Sequence, residues 1–180
     1  IFENLLEDNK DKGTFYTPKE VVHFMCKESL ALHAAGQLKP RIAENDLKHI
    51  EAFIRQNGIY DVEVIRKHTN TMHGIFTSVK ICDPAIGSGA FPMGMVYEIL
   101  RLKKELFGLS NRTNFNYRME KLDIIRNSVY GVDIDKGAVD IARLRFWLSL
   151  IVDEEEPAPL PNLDYKIMQG DSLKEYFEDI

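Results

Sequence analysis

Three aspartates and one glycine-rich bend are the parts of this 180-residue chain whose types and spacing could do chemistry. Asp83 follows the apolar run Val79 to Cys82, Asp133 stands near the end of Val129 to Asp135, and Asp171 comes just after Tyr165 to Met168. Each run reads as a short strand, so each acid stands where a strand ends. Between the first two lies Gly87-Ser88-Gly89, where the glycines can take positive φ and let another molecule approach the backbone. A carboxylate some distance after such a loop commonly accepts hydrogen bonds from a ribose diol. The interval to Asp133 is long, stretched by the segment from Gly108 to Arg126, but sheet topology and not chain distance would place it. Asp171 could accept from an adenine amine. Each aspartate could also be a helix cap or a turn former, and the glycines could serve packing alone.

The elements that must position these groups are legible in outline. Asp83-Pro84 stops the first strand, the glycine bend follows, and helical spacing resumes at Ala90. Strand, glycine loop and helix form the first half of a nucleotide-binding α/β unit. Three such strands with helices between the first two predict a parallel sheet with ligands beyond its carboxyl ends. Upstream, Thr17 and Glu20 have capping-box spacing with Pro18 at the first helical position. The helix that follows has an apolar face of Val21, Val22, Met25, Ser29 and Leu32, and Gly36 with Pro40 should end it. Leu47 to Ile54 and Val62 to Met72 read as two further helical pieces. A helix through Met95, Ile99, Leu102 and Leu106 closes at Gly108, and Arg118 to Arg126 adds another. Asp135 should cap a helix running to about Val152, apolar nearly all round and therefore buried between the sheet and other helices. Asp153 to Glu156, with Pro157, Pro159 and Pro161, reads as a solvated linker.

Composition narrows the function classes. A hydrophobic share of 44% fits a folded globule of one domain by length, and a net charge of −5 lacks the basic signature of a free-standing DNA-binding module. Cys26 and Cys82 lie in apolar surroundings and read as buried thiols of a reducing, cytoplasmic compartment. His68 and His73 fall on different helical faces with no acid or cysteine beside them, so they read as surface histidines and no metal site is expected. No apolar run approaches the roughly 20 residues of a membrane span. The chain opens on Ile1, not methionine, and is read as a segment of a longer protein.

Four motifs together carry a family resemblance. Gly13-Thr14-Phe15-Tyr16-Thr17-Pro18, Asp83-Pro84-Ala85-Ile86-Gly87-Ser88-Gly89-Ala90-Phe91, Gly131-Val132-Asp133-Ile134-Asp135 and Gly170-Asp171-Ser172-Leu173 stand in order. They resemble motifs of S-adenosylmethionine-dependent DNA adenine-N6 methyltransferases, in particular the modification part of type IIG restriction-modification enzymes and their phage-defence relatives. The helix phrase Ala142 to Leu150 resembles the one that follows the second strand in this group. The resemblance implies an α/β fold with a partial Rossmann-like sheet, its first three strands parallel, and helices on both faces. Residues 1–78 would be a helical region carrying the Phe-Tyr-Thr-Pro motif, and residues 79–180 the N-terminal half of the methyltransferase domain.

The same resemblance assigns roles residue by residue. Tyr16, Thr17 and Pro18 would contact the methionine end of S-adenosylmethionine. Asp83 would lie near its ammonium, with Pro84, Ala85, Gly87, Ser88, Gly89 and Phe91 forming the loop around it. Asp133 would hold the ribose hydroxyls and Ile134 would pack on the adenine. Asp171 would accept the adenine amine, with Ser172 and Leu173 closing the pocket. Two departures stand out: Ile86 occupies a place usually held by a small residue or cysteine, and Pro92 follows Phe91 where an aliphatic is usual. The catalytic motif of the family, asparagine or aspartate with two prolines and an aromatic, is absent from the sequence and is expected beyond Ile180. The chain alone is therefore expected to bind the methyl donor without transferring it. In the complete enzyme the partner would be double-stranded DNA with a flipped adenine. The first strand should present an open edge, so a homodimer or strand exchange is expected. A nicotinamide-dependent oxidoreductase fits less well, because its fingerprint needs a third glycine that Phe91-Pro92 displaces. A cofactor-binding scaffold without catalysis is the non-enzymatic alternative.

Overall fold

The computed structural model describes residues 17–110, 113–152 and 159–174. Helices α1 (Lys19–Leu38), α2 (Glu44–Arg55) and α3 (Val62–Ser78) lead into strand β1 (Ile81–Asp83). Then follow α4 (Ala90–Leu109), α5 (Tyr117–Ser128), β2 (Val129–Asp133), α6 (Lys136–Ile151) and β3 (Ile167–Gln169). The strands form one parallel sheet in the order β1-β2-β3, with Ile81 beside Val129 and Gly131 beside Ile167. The α/β, partial Rossmann-like architecture is thus observed, and all three acids lie at the carboxyl side of the sheet.

Strand alternation decides what each face meets. Ile81, Val129, Gly131 and Ile167 turn to one face and are buried against α4 and α6. Their neighbours Cys82, Tyr130, Val132 and Met168 turn to the other face and are exposed or half-buried. Among the described residues the helices touching the sheet cover the first face, so the expected two-sided cover is met on that face alone. Cys82 is consequently exposed, not buried as expected, whereas Cys26 is buried; both thiols are free. The outer edge of β1 pairs with no strand among the described residues.

The core is continuous from Leu30 and Phe76 through Leu100 and Phe146 to Ile167. At about 25 cal/mol per Å² of apolar surface, such side chains dominate the stabilisation of the layers. Three local expectations are corrected. Helix α1 starts at Lys19 with Pro18 as its N-cap (ψ 143°), so Glu20 is one position too early for a capping box and the cap carries no side-chain bond. The same helix runs through Gly36 to Leu38, because the fully buried Ala34 and Leu38 hold its last turn in the core. Helix α6 buries Ala138, Ala142, Phe146 and Leu150 but leaves Leu144 and Ile151 exposed, since one side of it meets the sheet and α5. Other signals held: Asp135 caps α6 by accepting from Gly137 N–H at 2.7 Å, and Pro92 sits in the first turn of α4, where no intrahelical N–H is needed. The acidic run Asp153 to Glu156 and residues 1–16 lie outside the described residues.

No helix among the described residues is long and apolar enough to cross a membrane. His68 is not a simple surface histidine: its Nε2 lies 2.8 Å from Asp46 Oδ2, an acid on α2 that the local spacing could not reveal. Lys67 Nζ reaches the same oxygen at 2.9 Å, and these two hydrogen bonds, Lys67 first, hold the Asp46 carboxyl below its ordinary pKa.

Candidate ligand site at the carboxyl ends of the strands

The loop from Asp83 to Gly89 is built by backbone bonds that close on β2. Asp83 Oδ1 accepts from Ala85 N–H at 3.1 Å, an Asx turn that bends the chain off β1. Ile86 N–H donates to the Val132 carbonyl at 2.9 Å, and Gly89 N–H to the Ile86 carbonyl at 2.9 Å. Gly87 (φ 52°) and Gly89 (φ 81°) both occupy the left-handed region. Gly89 also lies against α6, where an added Cβ would meet Ala142 Cβ at 3.3 Å.

Ile86 is the residue whose role the sequence left unexplained. It is 3% exposed and lies over Gly131 of β2, so closely that a Cβ at residue 131 would stand 2.3 Å from Ile86 Cδ1. The large loop residue and the missing side chain on the strand are complementary. A small residue at 86 would leave a void over Gly131. The pair Ile86 with Gly131 was the signal available in the sequence, but only the register of loop on strand shows that they meet.

Asp133 joins the two halves of the site. Its Oδ2 accepts from Gly87 N–H at 2.8 Å, and its Oδ1 from Asp135 N–H at 3.0 Å. Its carbonyl accepts from Gly170 N–H at 2.9 Å, which brings the β3 loop alongside. There Asp171 Oδ1 accepts from Leu173 N–H at 3.0 Å, so this acid does shape a turn. A carboxylate oxygen has two lone pairs, so Asp133 and Asp171 retain acceptor capacity for another donor. Burial pushes the Asp83 carboxyl above its ordinary pKa; the Ala85 N–H pulls it down, and the charge of Asp133 raises it further. A carboxyl whose charged form is disfavoured by burial and by a neighbouring carboxylate favours a cationic guest.

Apolar surface accompanies the acids. Ile134 is 70% exposed and Leu173 is 91% exposed, next to Asp133 and Asp171 respectively. Asp83 and Pro84 form one end of a groove of about 440 Å³ that continues along Phe91, Met95 and Met25 beside the open edge of β1. Thr17 lines a separate cavity of about 340 Å³ with Ala90, Met93 and Tyr97, which puts Thr17 near the first turn of α4. Pro84, Ala85, Pro18 and Ser172 are exposed, and Ser88 and Phe91 are half-buried. Tyr16 lies outside the described residues. Among the described residues no group of three or more His, Cys, Asp or Glu side chains could hold a metal ion.

Arg143 is a supporting residue that the sequence did not single out. From α6 its Nε donates to the Ile167 carbonyl at 2.9 Å, and its Nη1 pairs with Asp164 at 3.2 Å, tying β3 to the helix that follows Asp133.

Comparisons with known proteins bear on this arrangement. No family model matches the chain, and no solved structure matches it. Among curated proteins it is similar to one of Methanocaldococcus jannaschii provisionally named as a type II restriction enzyme and methyltransferase. The two are 30% identical over 193 aligned positions, which cover 99% of this chain. The chain spans 16% of the length of that relative.

Proposed function

We propose that this chain is the S-adenosylmethionine-binding part of a DNA methyltransferase acting on the N6 amine of adenine in a restriction-modification or phage-defence system. The observation that carries the reading is the convergence of Asp83, Asp133 and Asp171 at the carboxyl ends of three adjacent parallel strands, around a loop bonded to Asp133 through Gly87 N–H. Similarity to a protein named as a methyltransferase over nearly the whole chain supports it. The residues present fit the donor. Asp83 and Asp133 favour a cationic group, and the left-handed Gly87, where an added Cβ would meet nothing within 4 Å, leaves the backbone open to close approach. Ile134 and Leu173 offer exposed apolar faces to a base.

Bound S-adenosylmethionine would supply an activated methyl group on its sulfonium. Asp83 would accept from the ammonium, with Pro84, Ala85 and Ser88 shaping the loop. Tyr16, Thr17 and Pro18 would border the methionine end near Phe91, Asp133 would take the ribose hydroxyls, and Asp171 with Ser172 would take the adenine amine. The asparagine-proline-proline-aromatic motif that would hold a flipped adenine has no counterpart in these residues, so the stretch is assigned donor binding alone, within a cytoplasmic enzyme that acts on double-stranded DNA. Residues 1–78 then carry the first cofactor motif and residues 79–180 the first half of the catalytic domain. The edge of β1, which pairs with no strand among the described residues, is proposed to take a strand from a second copy of the chain; a monomer at all concentrations in sedimentation equilibrium rules this out.

Calorimetric titration with S-adenosylmethionine tests the main reading. Charge-assisted hydrogen bonds are worth about 1.5–3 kcal/mol, so Asp133→Ala should weaken binding roughly ten- to hundredfold. Equal affinity of the two proteins, or binding of NAD in place of S-adenosylmethionine, defeats the assignment.

A further inference from the structure

The geometry points to a second ligand site, for the phosphate groups of a nucleotide, free or within a nucleic-acid strand, in the cleft between α1 and α3. The cleft has a volume of about 560 Å³ and includes Val79 and Lys80, which precede β1. It therefore lies at the opposite end of that strand from Asp83, and the inference stands apart from the methyl-donor reading.

The lining is basic and polar in a chain whose net charge is −5. Arg41, Lys80 and His33 contribute to it, and no carboxylate does. The helical layers around it pair their cations closely: Arg55 with Glu28 and Glu51, Arg101 with Glu98 and Glu105, Lys67 with Asp46. Arg41 makes no ion pair among the described residues, and Lys80 Nζ donates only to a neutral acceptor there, the carbonyl of Asn127. Gln37, Asn70 and Thr71 add donors to the walls and make no side-chain hydrogen bond among the described residues. A guanidinium fork, an ammonium and neutral donors around a space without acids are the chemistry that receives phosphate oxygens. The volume exceeds that of one phosphate and falls within the range of roughly 300–1,000 Å³ for small-molecule sites.

Gly74 is a second, independent observation. It stands inside α3, where glycine is less stable than alanine. A Cβ there would meet nothing within 4 Å, so no neighbouring element requires its absence. Gly74 lines the cleft, and what a side chain would fill is the cleft itself.

The test is fluorescence anisotropy of the protein with a labelled ATP analogue and with a labelled short DNA duplex, at low salt and with saturating S-adenosylmethionine to block the other site. Saturable binding of either probe is expected; the tighter of the two identifies the source of the phosphate. Arg41→Gln should weaken it about tenfold, and Gly74→Leu at least as much, with unchanged circular dichroism. Lys48→Gln, on α2 outside the cleft, should leave it unaltered. Two results overturn the proposal: no saturable binding of either probe, or equal binding by folded Arg41→Gln and Gly74→Leu.

Discussion

The helical layer of α1 to α3 and the carboxyl edge of the sheet treat charge in opposite ways. In the helical layer an acid meets a cation: Asp46 lies against Lys67 and His68, and Arg55 Nε bonds Glu28 at 2.7 Å. At the carboxyl edge Asp83 lies near Asp133, and the hydrogen bonds they accept come from backbone N–H groups. The first arrangement lowers the energy of the charged form, and the second raises that of Asp83. The difference teaches where this fold spends stability: outside the basic cleft the charges of the helical layer satisfy one another, while the disfavoured charge of Asp83 is left for a partner to offset.

The contrast breaks most severely at Gly131. Gly131→Ala places a methyl group against Ile86, which would have to leave its seat and release the Ile86 and Gly87 bonds to β2. Overpacking of this kind costs about 1–3 kcal/mol, and chemical denaturation should show it together with weakened S-adenosylmethionine binding. Ile86→Ala in the same chain should recover part of the loss, because the two residues share one space. No recovery would show that the loop and strand do not depend on this contact.

A smaller, paired effect has opposite signs in the two regions. Asp83 has its folded pKa raised, so its ionisation destabilises the fold: stability is highest below the unfolded value and falls as pH rises through the folded one. Asp83→Asn should therefore raise the melting temperature slightly at neutral pH, lose that gain in acid, and weaken binding of the methyl donor. Asp46 has its folded pKa lowered, so its contribution is present above the unfolded value and disappears as pH falls through the folded one. Asp46→Asn should lower the melting temperature at neutral pH, with the gap closing in acid. Melting curves of both variants across pH measure the pair, and shifts of the same sign would remove the contrast.

Much of the site could be read from local spacing because its parts are local. Pro84 cannot donate to a sheet ladder and β1 ends just before it, glycine at 87 and 89 permits a left-handed bend, and Asp135 caps the helix that begins beside it. The same locality misled at α1, where Thr17 and Glu20 have the spacing of a capping box but the helix starts one residue late. It misled again at Cys82 and His68, whose surroundings come from alternation across a sheet and from a residue on another helix.

What the sequence determined by itself is the class of the fold, the order of its elements and the four motifs, because periodicity, glycine and proline act over a few residues. Tertiary structure alone decided that Ile86 seats on Gly131, that Asp133 holds the glycine loop, that one face of the sheet is covered and that a basic cleft opens behind β1. Those are relations between segments tens of residues apart. They exist only once strands are in register and helices are packed.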